Sequence, residues 1–243
     1  MPPVRSLLGL NALLFVVVFY ATFYPQSAEA NMVLSNAIVH FESGDSARQD
    51  VEITNAGAEP LYVQIEPHVV LNPGTEDEER VLIKNPREHG LLVTPSRMVL
   101  APGTTKSMRI VKLPLADDPG QEKERIYRIS ARPVVGDVSS AQSGVKVLIG
   151  YEVLAIVYPS KPKPNLVIER DGLKLTAENL GNTNVLLQEG FQCETPDQPL
   201  EECTSVRGKR MYPGLKWSLD LEHDLPVRYF QSVGTRNYVE TYN

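Results

Sequence analysis

Apolar and polar residues alternate along much of this chain in short runs, with Gly, Pro, Asn and Asp between them. "MVLSNAIVHF" is followed by "ESGDS", "QDVEITN" by "AGAEP", and "LYVQIEPHVVL" by "NPGTEDEE". "RVLIKNP", "GLLVTPSRMVL", the turn "APG", "KSMRIVKLP" and "RIYRISARPVV" continue the pattern. Period two places successive side chains on opposite faces, so these runs predict β-strands half-buried in a sheet. No window of a dozen residues carries the helical period. Short strands at regular spacing predict an all-β sandwich.

The stretch "SGVKVLIGYEVLAIVYPSKPKPN", 143–165, departs from the alternation. It becomes apolar on both faces and stops at Lys161, Pro162, Lys163 and Pro164, a composition that suits an extended, semi-rigid connector. Beyond it the pattern restarts. Val167 and Ile168 lead into Asp171-Gly172 and "LKLTAEN", a hairpin signal. "NVLLQEGFQC", "KRMYPG", "LKWSLDL" and "VRYFQSV" read as further strands. Two β-sandwiches are therefore expected, over residues 31–160 and 161–243. Neither an internal repeat nor a low-complexity tract is evident.

The first thirty residues stand apart. Arg5 precedes an almost wholly apolar run from Leu7 to Tyr24, and Ala28 and Ala30 supply small residues at an A-x-A cleavage site. This is the pattern of a secretory signal peptide. A run of this length could also serve as a retained anchor, but no positive cluster follows it, which favours cleavage. The folded part is then expected outside the cytoplasm, without direct membrane insertion. A net charge of −6 without a basic block disfavours nucleic acid and anionic membranes. Cys193 and Cys203 are the two cysteines. In an exported chain they read as one local disulfide, contributing at most about 3 kcal/mol by closing so short a loop.

Candidate chemistry is sparse. His40, His68, His89 and His223 are scattered, none with a second ligand at zinc spacing. Glu76 to Glu79 lack the alternating oxygen ligands of a calcium loop and read as a solvated hairpin tip. There is no G-x-S-x-G elbow, no Gly-rich phosphate loop and no C-x-x-C pair. No metal or cofactor is expected, and an enzyme is disfavoured.

Three phrases, "LLVTPSRMVLAPGTTKSMRI", "QEKERIYRI" and "GVKVLIGYEVLAIVYP", resemble the periplasmic chaperones of the chaperone–usher pilus pathway. With "NPGTEDEE" and "NLGNTNVLLQEGFQC", they are most similar to the alternative branch, which serves class 5 and common-pilus-type fimbriae. The resemblance implies two immunoglobulin-like β-sandwich domains in an L shape, located in the periplasm. It implies binding of pilus subunits and delivery to an outer-membrane usher, with self-association of the free protein left open. In this family the chaperone lends its G1 strand to a subunit whose own sandwich lacks a strand. Main-chain bonds and alternating pockets make such strand addition both tight and selective.

By that resemblance the donor residues are Val145, Val147 and Ile149, with Tyr151 as a fourth. Better-known members hold the subunit's terminal carboxylate with an arginine and a lysine, where this chain has Ile38 and Leu154. Arg128 is the first candidate to replace them, followed by Arg109 and Arg132, with Lys161 and Lys163 near the connector. Two other readings stand beside this one. The strand could be an ordinary core strand, and the chain could be an exported pilin or adhesin.

Overall fold

A computed structural model describes residues 31–134, 148–195 and 197–243. Asn31–Asn243 pack as one compact unit, made of two sandwiches. Nearly every expected run is a strand. The first sandwich contains β1 (Met32–Leu34), β2 (Ile38–Phe41), β3 (Arg48–Asn55), β4 (Leu61–Leu71) and β5 (Glu79–Leu82). It continues with β6 (Leu91–Thr94), β7 (Arg97–Leu100), β8 (Thr105–Lys112), β9 (Arg125–Val134) and β10 (Tyr151–Val157). One sheet has the order β1-β3-β8-β6; the other runs β2-β10-β9-β4-β5, with β7 also on β4.

Two runs that read as single strands are each divided between the sheets. "MVLSNAIVHF" supplies β1 to one sheet and β2 to the other. "GLLVTPSRMVL" crosses over at the cis Thr94–Pro95 peptide, where proline has no N–H to extend a ladder. The inner faces meet in one core, with Phe41, Ile53, Leu91, Met108, Ile110, Tyr127 and Ile129 buried. The Tyr127 hydroxyl donates to the His89 carbonyl at 2.6 Å, so this large ring is buried without stranding its polar end. His89 ends a four-residue helix, Pro86–His89, capped by Asn85 and Gly90, too short to leave a periodic signal.

The second sandwich contains β11 (Leu166–Asp171), β12 (Lys174–Asn179), β13 (Val185–Gln192), β14 (Thr204–Val206) and β15 (Lys209–Met211). β16 (Lys216–Asp220), β17 (Val227–Val233) and β18 (Arg236–Tyr242) complete it. Its sheets are β11-β12-β16 and β14-β13-β17-β18, with β15 on β13. Leu175, Met211, Trp217, Val227 and Tyr229 form its core. Cys193 and Cys203 are joined in a disulfide. The expected hairpin is present one residue later than read: Asp171 pairs with Lys174, so Gly172-Leu173 is the two-residue loop. Gly172 takes a φ of +58° at its first position, which glycine adopts without steric cost.

The Lys/Pro segment is tied on both sides. Ser160 N donates to Gln121 O at 2.7 Å and Ser160 Oγ to Gly120 O at 2.7 Å. Opposite, Lys163 N donates to Asn182 Oδ1 at 2.6 Å and Asn182 Nδ2 to Lys161 O at 3.1 Å. Gly181 passes so close to Lys163 O that a Cβ there would collide with it.

Candidate functional site

The site is assembled on the outer face of the sheet that contains β10. β10 pairs with β9 along its whole length, from Tyr151↔Ala131 to Val157↔Arg125. On its other side β2 covers only Leu154 to Val157. Among the described residues, β10 therefore presents a free strand edge at Tyr151 to Val153, where the N–H and C=O of Glu152 are open to another chain.

Side chains along this strand divide by parity. Val153, Ala155 and Val157 are buried in the first core; Leu154, Ile156 and Tyr158 face outward into a second cluster with Val70, Ile126 and Tyr212. That explains the run that was apolar on both faces: its lower half is covered on both. Above it, Tyr151 packs half-buried against the first core, whereas Ile149 is 51% exposed. Val145 and Val147 lie outside the described residues.

The register lays the outer face out in rows. Leu154 stands beside Ile38 and Arg128, Arg128 beside His68, and His68 beside Leu82. The next row runs from His40 through Ile156, Ile126 and Val70 to Arg80. Ile38 and Leu154 thus sit side by side and bring no charge. Arg128, the next residue in their row, brings one.

The three candidate arginines are placed very differently. Arg109 is on β8, in the other sheet, where its Nε donates to Asp50 Oδ1 at 3.0 Å. Asp50 is shared with Arg48 at 2.6 Å; Arg48 and then Arg109 hold its carboxyl down at about 2. Arg132 shares the outer face with Arg128 but is ion-paired with Glu66. Arg128 is half-buried and, among the described residues, its guanidinium makes no hydrogen bond or ion pair. Its charge is felt by the phenol of Tyr212, which the second sandwich contributes to the outward cluster. Near Arg128 an open hollow of about 400 Å³ is lined by His68, Arg80, Ser130, Arg132, Gly150, Tyr151 and Glu152. Arg80 crosses it to Glu152 at 2.8 Å. Two of its cations are thus neutralised within the chain.

Sequence reasoning missed Tyr212, His68 and the Arg80–Glu152 pair. Their signal is in the register of strands far apart in sequence, which no local pattern carries. Among the described residues no cluster of His, Cys, Asp or Glu could hold a metal ion, and no helix is long and apolar enough to cross a membrane.

No protein-family model matches the chain. The chain is 29% identical over 196 residues to a CS1 fimbrial protein of Escherichia coli, named as a fimbrial subunit, covering 78% of this chain and 80% of that protein. Among solved structures it resembles the class 5 fimbriae chaperone CfaA, with a TM-score of 0.60 and 22% identity over 88% of this chain and 99% of that one. It also resembles a chain of the Salmonella enterica SafA pilin–SafB chaperone complex, with a TM-score of 0.60, 16% identity, and 89% and 99% coverage. The fold is that of the fimbrial chaperones: all-β, in two immunoglobulin-like sandwiches.

Proposed function

We propose that the chain is a periplasmic chaperone that caps pilus subunits by lending them the strand that runs into β10. The observation that carries this reading is the free edge at Tyr151–Val153, with Ile149 exposed just ahead of it on the donor face. A pilin lacking a strand would pair with that edge and take Val145, Val147, Ile149 and Tyr151 into its groove. Fully burying an aliphatic side chain contributes about 1.5–3 kcal/mol, so the apolar series together with main-chain bonds makes a firm interface. In this reading residues 1–30 are a cleaved leader, the capped pilin passes to an outer-membrane usher, and no catalytic step, nucleotide or metal takes part.

Arg128 is proposed to receive the pilin's terminal carboxylate. Arg132 and Arg109 each hold a carboxylate of this chain already, whereas a half-buried guanidinium without an anion is completed by an incoming one. Leu154 and Ile38 then form the apolar wall beside that contact instead of the contact itself.

A pilin or adhesin is the competing reading, and the Escherichia coli relative is named as a fimbrial subunit. The completeness of the first sandwich argues against it. Among the described residues β10 lies between β2 and β9 in its own sheet, so the chain fills that position with its own strand.

Co-expression with a pilin from the neighbouring reading frames tests the proposal. A soluble one-to-one complex is expected, lost in Ile149→Asp and reduced in Arg128→Ala, with both variants keeping the wild-type melting profile. Full protection of the pilin by Ile149→Asp would overturn strand donation through this face. Unchanged recovery with Arg128→Ala would remove that arginine from the site and leave strand donation standing.

A further inference from the structure

A buried carboxyl group sits at the junction of the two sandwiches. Glu124, just ahead of β9, reaches into the corner that follows β12. Its Oε2 accepts three hydrogen bonds: from Thr183 Oγ1 at 2.9 Å, Asn184 N at 2.8 Å and Asn184 Nδ2 at 2.7 Å. Its Oε1 is buried and, among the described residues, has no hydrogen-bond partner. A carboxylate so divided is a poor place for a negative charge, because half of it is desolvated without compensation. The acid form fits better. A proton on Oε1 removes the charge and leaves all three bonds to Oε2 in place.

We propose that Glu124 is a proton-operated clamp: the junction holds its carboxyl as the acid in mildly acidic surroundings, with the proton on Oε1, and loosens when that proton leaves. The angle between the sandwiches, and with it the placing of Tyr212 opposite Arg128, then responds to acidity. This holds whatever the cleft binds.

The facing groups leave this balance standing. Burial raises the Glu124 carboxyl above its ordinary range, outweighing the hydrogen bonds to Oε2 and the charge of Arg210 on β15, which is bonded to Asn184 Oδ1. The phenols of Tyr158 and Tyr212 face the same corner and are neutral; burial pushes Tyr158 up to about 12. Behind them, His40 Nδ1 meets Tyr158 Oη at 3.0 Å, and Glu42 accepts from Thr235 N at 2.8 Å. On Glu124's own segment, Arg125 turns away to Leu113 O at 3.2 Å and Lys123 is exposed, as Lys161 is on the connector. Lys163 faces Asn182 through its backbone.

A raised carboxyl stabilises the docked form as pH falls through its folded pKa, with the gain complete below the unfolded value. His40 opposes this. Burial, then Arg210, lowers its pKa, so its contribution is present at neutral pH and shrinks as pH falls below the ordinary histidine value. Comparing wild type with Glu124→Gln cancels that term.

The experiment measures melting midpoints of wild type and Glu124→Gln from about pH 8 to about pH 5. Glutamine is uncharged at every pH and can still accept the three bonds. Any fixed cost of its amide drops out of the pH dependence. The midpoint difference, variant minus wild type, is expected to fall by about 2–4 °C across that range. The ¹³C signal of the Glu124 carboxyl in wild type should titrate above ordinary glutamates. A difference independent of pH, or one that grows towards acid, overturns the proposal. So does a carboxyl that titrates at or below the ordinary value.

Discussion

The first sandwich ends β3 on Asn55 and the second ends β12 on Asn179, and the same corner is built around each. Asn55 N donates to Thr104 O at 3.0 Å and accepts on its carbonyl from Gly103 N at 2.9 Å. Its Nδ2 donates to Glu59 O and Leu100 O, and its Oδ1 accepts from Gly57 N. Asn179 repeats this with Leu215 O, Gly214 N, Thr183 O, Met211 O and Gly181 N. Both amides are fully buried, and every donor and acceptor they bring is used. What the corners carry is different. Where the first has Ala101 and Glu59-Pro60, all exposed, the second has Tyr212 and Thr183-Asn184. Those residues supply apolar and polar contacts to the junction. One rigid mount serves twice, and the side chains placed on it decide whether it is a surface or an interface.

Removing the mount should have the largest effect. Asn55→Ala and Asn179→Ala each remove three side-chain hydrogen bonds of the corner, at about 1–3 kcal/mol for each partner left buried without compensation. Each is expected to lower unfolding free energy in urea by on the order of 3 kcal/mol or more. Only Asn179→Ala should also strip hydrogen-exchange protection from the Asn184 amide. Equal loss of that protection in both variants would break the distinction between surface and interface.

A smaller, matched effect tests the equivalence itself. Gly103 and Gly214 have φ of +70° and +79°, and a Cβ at either meets nothing within 4 Å. Alanine at each should cost only the left-handed backbone strain, about 1–2 kcal/mol. The two urea midpoints should shift by similar amounts, and a large inequality would show that one corner is held by something else.

The smallest effect is expected at Asp50. Its carboxylate is partly exposed, solvent screens its bonds to Arg48 and Arg109, and it lies on the sheet that does not contain β10. Asp50→Asn should leave both the melting profile at neutral pH and pilin recovery unchanged. Lost recovery with an intact melt would bring Arg109 back as an anchor.

The fold was largely legible because alternation is a local property. "KLTAEN" and "RIYRISARPV" each show which side faces the core before any partner strand is known. The Lys/Pro connector and the disulfide were legible for the same reason, since composition and short spacing suffice. Pro95 marked the crossing between sheets, but only the sheets show which strand went where. The shared corner escaped notice because it consists of Asn-x-Gly and Pro-Gly set in otherwise different text, joined by bonds to carbonyls whose residue types are irrelevant.

The order of the cations was out of local reach. Arg109, Arg128 and Arg132 look alike in sequence, each a charge within an apolar alternation. The fold gives Asp50 to the first and Glu66 to the third and, among the described residues, leaves the second without an anion. Likewise Glu124 reads as one acid in "QEKER" until Thr183 and Asn184 arrive from the second sandwich. By itself the sequence determined the strands, their inward faces, the turns and the resemblance to a strand-lending chaperone, because each depends on neighbours a few residues apart. Tertiary structure alone decided which charges are neutralised and which buried oxygen is left without a donor. Those depend on groups far apart along the chain, brought within a few ångströms by folding.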